Sequence, residues 1–356
     1  MGELISVLMC VYNTPLKYLV EAIDSIIEQS YGGMEFIIVD DASNDREVVD
    51  YLDMIEHSDD RIKLLRNDTN RGLTKSLNLG LEICEGKYIA RMDSDDISMP
   101  KRFEKQVLYM ERHPEVSLVG SDVVCFENDS KIVFPLVSNV NVDSETYKVR
   151  SLMQHSGPPH PTFMFRKSFL DDHGIKYREN ILKAQDYGIM ADILKNGGII
   201  SRINEPLVRY RVHDGQITTK SELEQKAYQC RVSYDFIGHM FPALNEEERT
   251  VLSVLGCNYG SDNLIETIRK DDQLRKVCEF LLSGAKQCDR SLVFVKAIKK
   301  LIKYNNINKI YDSDILAREF RYQWWKKALR TSKEKRRLWG MWPYTIISYL
   351  ITRHIR

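Results

Sequence analysis

Three carboxylates crowd one short stretch of the sequence, YIARMDSDDISMPKR: Asp93, Asp95 and Asp96. Like charges this close together repel one another unless something neutralises them. One of these acids is explained if it caps the helix that we predict after Pro100, but three are not. Mg²⁺ and Mn²⁺ take carboxylate oxygens as ligands and commonly share phosphate oxygens. The stretch therefore indicates a metal–phosphate site, with a purely structural acid cluster as the alternative.

The elements around these acids predict where the cluster lies. LISVLMCVY (4–12) and MEFIIVDD (34–41) are apolar runs typical of strands buried on both faces, and GKYIARM is a further strand that leads into Asp93. Helical patterns separate the strands as far as residue 126, which favours a mostly parallel, doubly wound α/β sheet with helices on both faces. Ligands of such sheets bind beyond the carboxyl ends of the strands, where Asp41 and Asp93 fall.

The second half of the chain changes character. Residues 130–183 lack a regular pattern, 184–198 are predicted as a helix, and 205–218 as a strand and loop. After 219 the sequence predicts only helices. We therefore expect an α/β domain over 1–218 and an α-helical region over 219–356, with helices at 221–240, 245–256, 262–286, 291–303 and 313–330.

Composition narrows the class of protein. The chain has 356 residues, of which 43% are hydrophobic, as in an ordinary globular protein. Its seven cysteines show no CxxC pair, which favours free thiols in a reducing cytosol. No apolar run approaches the roughly 20 residues that span a bilayer, and the first strand leaves no room for a cleavable signal. We expect a cytoplasmic protein. No GxGxxG follows the first strand, which argues against a dinucleotide-binding fold.

The C-terminal tail is strongly basic. From Arg318 onward there are eleven Lys or Arg and two Asp or Glu, a net charge of +9 in a chain whose total is zero. Four tryptophans accompany these cations. A basic, Trp-bearing amphipathic segment over 316–356 suits the anionic inner face of a membrane. Two alternatives stay open: the tryptophans pack on the α/β domain, or the charge binds nucleic acid, although no nucleic-acid motif is present and we expect none to bind.

Several of these stretches, taken in order, resemble a known family. ISVLMCVYN, IIVDDASND, NRGLTKSLNLGL and GKYIARMDSDDISMPKR are similar to successive motifs of family 2 glycosyltransferases, which have the GT-A fold. The likeness continues through HPTFMFRKS, AQDYGIMADIL and YRVHDGQIT, and covers about residues 4–218. It implies an inverting transfer of sugar from a nucleotide-sugar, most often a UDP-sugar, to a glycan or lipid-linked acceptor, as in bacterial capsule and O-antigen synthesis.

The resemblance also assigns a nucleotide-binding set. Asp41 would accept a hydrogen bond from a uracil-like N–H, and Gly72 would allow a tight turn over the base. The alternatives without a ligand are strand-end packing for Tyr12, helix capping for Asp41 and a solvated surface charge for Lys75. The full set is Cys10, Val11, Tyr12, Asn13, Asp41, Arg71, Gly72, Lys75, Asp93, Ser94 and Asp95.

Residues 93–95 match the DXD motif of the family. Asp95 would bind the Mn²⁺ or Mg²⁺ ion that bridges the donor phosphates, with Asp93 on the ribose side. Asp96 leaves the register open, because the later pair serves in some relatives. His213 is either a further metal ligand or a structural histidine.

The general base implied by the resemblance is Asp186. It would take the proton of the acceptor hydroxyl. The family usually has Glu-Asp here, whereas this chain has Gln185 before the Asp, which puts the role of the first acid in doubt. The alternative for Asp186 is an interaction with the dipole of its helix. His160, acceptor-side or structural, and Arg166, a pyrophosphate contact or the partner of an acid, are further possible site residues.

The same residues distinguish two rival functions. A sugar-1-phosphate nucleotidyltransferase wants a Gly/Arg-rich loop after the first strand, and YNTPLKYL contains none. A non-catalytic nucleotide-binding scaffold predicts the loss of a base or a metal-binding acid. The candidates Asp41, Asp93, Asp95 and Asp186 are all present, which favours the transferase.

Overall fold

The computed structural model describes residues 2–127, 132–136, 144–152, 157–213, 222–257 and 261–279, and single residues or short groups between 297 and 316. Its backbone contacts divide the chain into two compact units. The first comprises Met1–Val142 and Gly157–Lys220, and the second comprises Asp143–Ser156 and Ser221–Arg356. The boundary near residue 218 stays a prediction, and the contacts assign Asp143–Ser156 to the second unit.

Nine strands of the described residues form one sheet in the first unit. They are β1 Ile5–Val11, β2 Met34–Asp40, β3 Ile62–Arg66, β4 Tyr88–Asp93, β5 Ile97–Ser98, β6 Val116–Phe126, β7 Ile132–Leu136, β8 Met164–Arg166 and β9 Ile199–Arg211. Their spatial order is β3-β2-β1-β4-β8-β6-β9-β5, and β7 pairs with β6. The four strands β3, β2, β1 and β4 are parallel to one another, as predicted.

Helices connect the strands of this sheet. They are α1 Leu16–Ile27, α2 Arg46–Glu56, α3 Leu73–Ile83, α4 Arg102–Arg112, α6 Lys167–Asp172 and α7 Gln185–Lys195; the intervening α5, Ser144–Ser151, belongs to the second unit. The first helix shows why they form: its buried residues, Leu19, Ala22, Ile23 and Ile26, recur at the spacing of one helical face. Apolar faces of this kind pack on strands that are buried along nearly their whole length.

The prediction of an irregular segment at 130–183 was wrong. The described part of this segment contains two strands, two helices and a 3₁₀ turn at His160–Thr162. The most important of these elements is β8, which pairs antiparallel with both β4 and β6 and so joins the two parallel parts of the sheet. A three-residue strand is too short to produce a periodic pattern, and its position depends on tertiary pairing.

The second unit is helical where it is described. Helices α8 Glu222–Met240 and α9 Glu246–Cys257 lie within a residue of the predicted bounds. The helix predicted at 262–286 is instead divided into α10 Ser261–Lys270 and α11 Asp272–Val277, because the Asp271 side chain accepts hydrogen bonds from two backbone N–H groups of the second helix. The predictions for 291–303, 313–330 and the basic tail lie wholly or partly outside the described residues.

Two further sequence predictions can be checked. The five cysteines whose side chains are described, Cys10, Cys84, Cys125, Cys230 and Cys278, are free thiols, as expected. Among the described residues, no helix has both the length and the apolar character required to cross a bilayer.

Candidate functional site

The acidic turn, Asp93–Asp96, begins at the carboxyl end of β4 and brings its three carboxylates together. Ligand oxygens of Asp93, Asp95 and Asp96 lie within 4.8 Å of one another. Asp96 is almost completely buried, and its Oδ1 accepts a hydrogen bond from the backbone N–H of Arg211 at 2.8 Å. Its Oδ2 is buried and has no hydrogen-bond partner in the described part of the chain. Burial and the two neighbouring acids raise the pKa of Asp96 well above its usual value. A cluster of carboxylate oxygens in which one buried oxygen makes no hydrogen bond suits a hard divalent cation.

Arg91 neutralises part of this charge. Its guanidinium forms an ion pair with Asp93 and is 3% exposed. A second buried guanidinium, that of Arg102, donates to the carbonyl oxygen of Arg91 at 2.7 Å. Burial nevertheless keeps the pKa of Asp93 above its ordinary value. Arg91 lowers this pKa, whereas the negative charges of Asp95 and Asp186 raise it further. The sequence analysis did not single out either arginine, although both stand within ten residues of the acids.

Asp41 directly follows β2, which is separated from β4 by β1, and it organises the loop predicted to cover a base. Its carboxylate accepts hydrogen bonds from Asn67 Nδ2 at 2.7 Å and from the backbone N–H groups of Arg71 and Gly72 at 2.8 Å each. Gly72 has φ +84°, which a residue with a side chain rarely adopts. Asp41 therefore holds the Arg71–Gly72 turn against the sheet. Asn67 was missed by the sequence analysis, although a polar residue directly after β3 continues the pattern of β2 and β4.

The end of β1 faces these two loops. Tyr12 is 50% exposed, which leaves its ring accessible to a ligand. Asn13 has φ 48°, and its side-chain oxygen accepts hydrogen bonds from the backbone N–H groups of Asn44 and Asp45 at 2.9 and 3.1 Å. The Asn13 amide therefore fixes the loop before α2.

Other predicted nucleotide-binding residues fall near the same edge. Val11 is fully buried, and its carbonyl oxygen accepts a hydrogen bond from the Asp41 N–H. Cys10 is half-buried and lies opposite Asp93 in the pairing of β1 with β4. Ser94 Oγ lies 2.6 Å from Thr14 Oγ1, which joins the acidic turn to the end of β1. Arg71 and Lys75 are exposed.

Asp186 lies in the first turn of α7, after Ala184, which adopts a left-handed conformation with φ 86°. Asp186 Oδ1 accepts a hydrogen bond from the backbone N–H of Tyr187 at 2.8 Å. Its negative charge contributes to the raised pKa of Asp93, so the two carboxylates are electrostatic neighbours. The structure thus brings the predicted base to the acidic turn, 90 residues away in the sequence.

His213 contacts the acidic turn directly. Its Nε2 lies 3.0 Å from Asp95 Oδ2, and its ring centroid lies 5.9 Å from that of Tyr18. Both a metal ligand and a structural partner of Asp95 would occupy this position, so the two interpretations remain.

The two other possible residues have different surroundings. His160 Nε2 lies 2.8 Å from the Tyr177 hydroxyl, and the His160 ring packs edge-on against Phe163. Arg166 pairs with Tyr88 at the amino end of β4, about 16 Å along the strand from Asp93 at the usual rise per residue. Its guanidinium donates to the carbonyl oxygens of three residues there, Val116, Met110 and His113. We therefore leave Arg166 out of the proposed site.

Comparison with known proteins agrees with this geometry. Residues 6–174 match the sequence model described as Glycosyl transferase family 2. An uncharacterized glycosyltransferase of Methanocaldococcus jannaschii is 32% identical over 229 residues, which cover 63% of this chain and 76% of that protein. The O-antigen biosynthesis glycosyltransferase WbnJ of Escherichia coli is 29% identical over 262 residues, 72% of this chain and 94% of that one.

A solved structure has a similar fold. Residues 1–349 of S. aureus TarS, in complex with UDP-GlcNAc, superpose with a TM-score of 0.54 at 17% identity, covering 92% of this chain and 88% of that one. At this identity the likeness concerns the fold alone.

Proposed function

The chain belongs to glycosyltransferase family 2, and we propose that it transfers a sugar from a UDP-sugar to a hydroxyl group of a glycan or lipid-linked acceptor, with inversion at the anomeric carbon. One observation carries the proposal: a base-binding loop held by Asp41, an acidic turn and Asp186 converge at the carboxyl edge of the parallel strands. That edge is where an open α/β sheet binds its ligands. The O-antigen and amylovoran biosynthesis enzymes among its relatives support a role in surface-polysaccharide synthesis.

The donor diphosphate would lie over the acidic turn. Asp95 and Asp96 would hold a Mn²⁺ or Mg²⁺ ion there, with His213 as a further candidate ligand and Asp93 on the ribose side. The buried Oδ2 of Asp96, which has no hydrogen-bond partner among the residues that the structure describes, supports this assignment. When bound, the cation stabilises the negative charge on the departing diphosphate. The Arg71–Gly72 turn and the exposed Tyr12 would contact the base, and the complex of TarS with UDP-GlcNAc supports a uracil nucleotide.

Asp186 would act as the general base. Its carboxylate accepts the proton of the acceptor hydroxyl while that oxygen attacks the anomeric carbon and the bond from this carbon to the UDP oxygen breaks. A single displacement inverts the configuration and needs no covalent sugar–enzyme intermediate. Gln185 cannot take a proton in this way, so the base function rests on Asp186 alone of the pair.

The proposed lipid-linked acceptor would lie in the membrane. The basic, Trp-rich segment 316–356 would bind the anionic inner face of the cytoplasmic membrane and bring the site to a lipid-linked acceptor. Sedimentation with vesicles of anionic or of zwitterionic lipid tests this part separately. We expect binding to the anionic vesicles that weakens with salt, and equal recovery with both vesicle types would contradict it.

Calorimetric binding of UDP, GDP and TDP, each with and without Mn²⁺, tests the donor site. We expect UDP to bind most tightly, and its Mn²⁺-dependent gain to be lost in Asp95→Ala. Asp171→Ala removes an exposed acid on α6 that pairs with Lys167, and serves as the matched control with unchanged binding. Failure of every nucleotide to bind the wild type would refute the proposal.

Turnover separates the enzyme from a nucleotide-binding scaffold. Release of UDP from a panel of UDP-sugars should fall at least 100-fold in Asp186→Asn, a loss within the range expected for a general base, while UDP affinity stays unchanged. Wild-type UDP binding combined with no release from any sugar and acceptor would favour the scaffold.

A further inference from the structure

Arg211, the last residue of β9, contacts the acidic turn through both its backbone and its side chain. Its backbone N–H donates to Asp96 Oδ1 at 2.8 Å, and its Nε donates to the carbonyl oxygen of Asp95 at 2.7 Å. The side chain is only 2% exposed, so water does not compete effectively for these bonds. Arg211 therefore fixes the backbone and one carboxylate of the turn.

The guanidinium of Arg211 is itself held by two other elements. It forms an ion pair with Glu21 on α1 at 2.5 Å. It also lies over the ring of Tyr18 on α1, at 4.1 Å from the centroid, and over the ring of Phe126 on β6, at 4.5 Å. A planar cation stacked on two rings and tied to a carboxylate has little rotational freedom.

The chain then continues from Arg211 to His213, whose Nε2 lies 3.0 Å from Asp95 Oδ2. The ring of Tyr18 contacts both residues, since its centroid also lies 5.9 Å from that of His213. The position of His213 relative to Asp95 thus depends on where Arg211 anchors the end of β9.

We propose that Arg211, held by Glu21, Tyr18 and Phe126, is a positioning residue that sets the Asp95 carboxylate and His213 for metal-dependent binding of the donor diphosphate. We call this arrangement the Arg211 clamp. The inference rests on the proposed function, because it assumes that the acidic turn binds a metal–diphosphate group. It assigns Arg211 no contact with the donor; its effect passes through the turn.

If the clamp acts in this way, weakening it should reduce only the Mn²⁺-dependent part of UDP affinity. In Arg211→Lys the positive charge remains and can still reach Glu21, but the planar stack and the Nε bond to Asp95 are removed. The base-binding loop held by Asp41 is built from other elements and keeps its contacts. We therefore expect the Mn²⁺-dependent gain in UDP affinity to fall about tenfold, as for the loss of one charged hydrogen bond. UDP affinity without metal should stay within about twofold of wild type.

Glu21→Gln tests the same clamp from its outer side without altering Arg211. Glu21 is 37% exposed, so its replacement carries little risk to folding, and we expect a smaller loss of about threefold. The matched control is Arg61→Lys. Arg61 also binds one carboxylate, that of Asp59, and one backbone carbonyl, that of Ile27, but precedes the amino end of β3. It should leave UDP affinity with and without Mn²⁺ unchanged.

Calorimetric titration of UDP with and without Mn²⁺ into the full-length variants measures these ratios, alongside their melting temperatures. If Mn²⁺ increases UDP affinity in both Arg211→Lys and Glu21→Gln by as much as in the wild type, the clamp is overturned. The proposed donor site is not affected by that result. An equal loss of affinity with and without Mn²⁺ also overturns it, since that outcome indicates a general structural role. Failure of the wild type to bind UDP at all would instead remove the proposed function on which the clamp rests.

Discussion

Replacing Asp41 with asparagine tests the proposed donor site most directly. The carboxylate accepts three hydrogen bonds, from Asn67 and from the backbone of Arg71 and Gly72, at 2.7 to 2.8 Å. Asparagine keeps the size of the side chain but replaces one acceptor oxygen with an NH₂ group, so at least one N–H donor meets another donor. An unmade bond of this kind costs about 1–3 kcal/mol. If the turn must keep its shape to bind the base, UDP affinity falls about 5- to 150-fold.

The assay is calorimetric titration of UDP at saturating Mn²⁺, with melting temperature as the measure of stability. Asp271→Asn is the matched control, because the Asp271 carboxylate also accepts two backbone N–H bonds, at the start of α11 in the second unit. We expect Asp41→Asn to melt lower than wild type and to lose affinity. Asp271→Asn keeps the one oxygen that accepts both backbone bonds, so its melting temperature and UDP affinity should stay close to those of wild type. A UDP dissociation constant within about twofold of wild type in Asp41→Asn would refute the reasoning that Asp41 shapes a base-binding turn.

Three further predictions concern stability and the same loop. Glu35→Gln should lower the free energy of unfolding by about 1 kcal/mol at pH 7. Burial alone would raise the pKa of Glu35, but Lys63 and two further hydrogen bonds lower it below its ordinary 4.5. The difference from wild type should therefore vanish in denaturant titrations as the pH falls through this lowered pKa, and a constant difference would contradict the assignment. Gly72→Ala should cost about 1–2 kcal/mol through backbone strain at φ +84°, since its Cβ meets no atom within 4 Å; an unchanged melting temperature would argue against this φ. Gly86→Ala should lower stability by about 1–3 kcal/mol, because its Cβ would lie 2.4 Å from the backbone nitrogen of Ser6; a wild-type denaturation midpoint would show that this turn has room.

The parallel half of the sheet could be predicted because each strand carries its own signal. Apolar runs such as 4–12 and 34–41 are buried on both faces, and the helices between them have one apolar face. Local pattern and tertiary burial agree there. In β8 local pattern and tertiary burial do not agree in this way. Its three residues are too few to show the hydrophobic periodicity of a strand, and its place between β4 and β6 is set by partners distant in the sequence.

The candidate site was predictable to the extent that its residues follow strand ends or begin helices. Asp41, Asp93 and Asp186 have such positions, and the fold brings them to one edge. Arg91 and Arg211 gave no such signal. Arg91 is a single basic residue inside an otherwise apolar strand, and Arg211 ends a strand that carries the further arginines Arg202 and Arg209, so each resembles an ordinary surface position. Only the structure reveals that both guanidinium groups are buried and directed to the acidic turn.

Buried arginines explain how the chain concentrates acids at a strand end. Two carboxylates 4.8 Å apart repel by about 3–4 kcal/mol at an effective dielectric constant of 20, so the acidic turn would strongly oppose its own folding. Arg91 offsets this by pairing with Asp93, while Arg102 and Arg211 direct hydrogen bonds to main-chain carbonyl oxygens of β4 and of the turn. These two bonds add positive charge without occupying carboxylate oxygens, and Asp96 Oδ2 has no hydrogen-bond partner among the described residues. The fold of the turn therefore rests on the protein's own arginines, and a variant that lost the proposed metal-dependent binding would be expected to keep its fold.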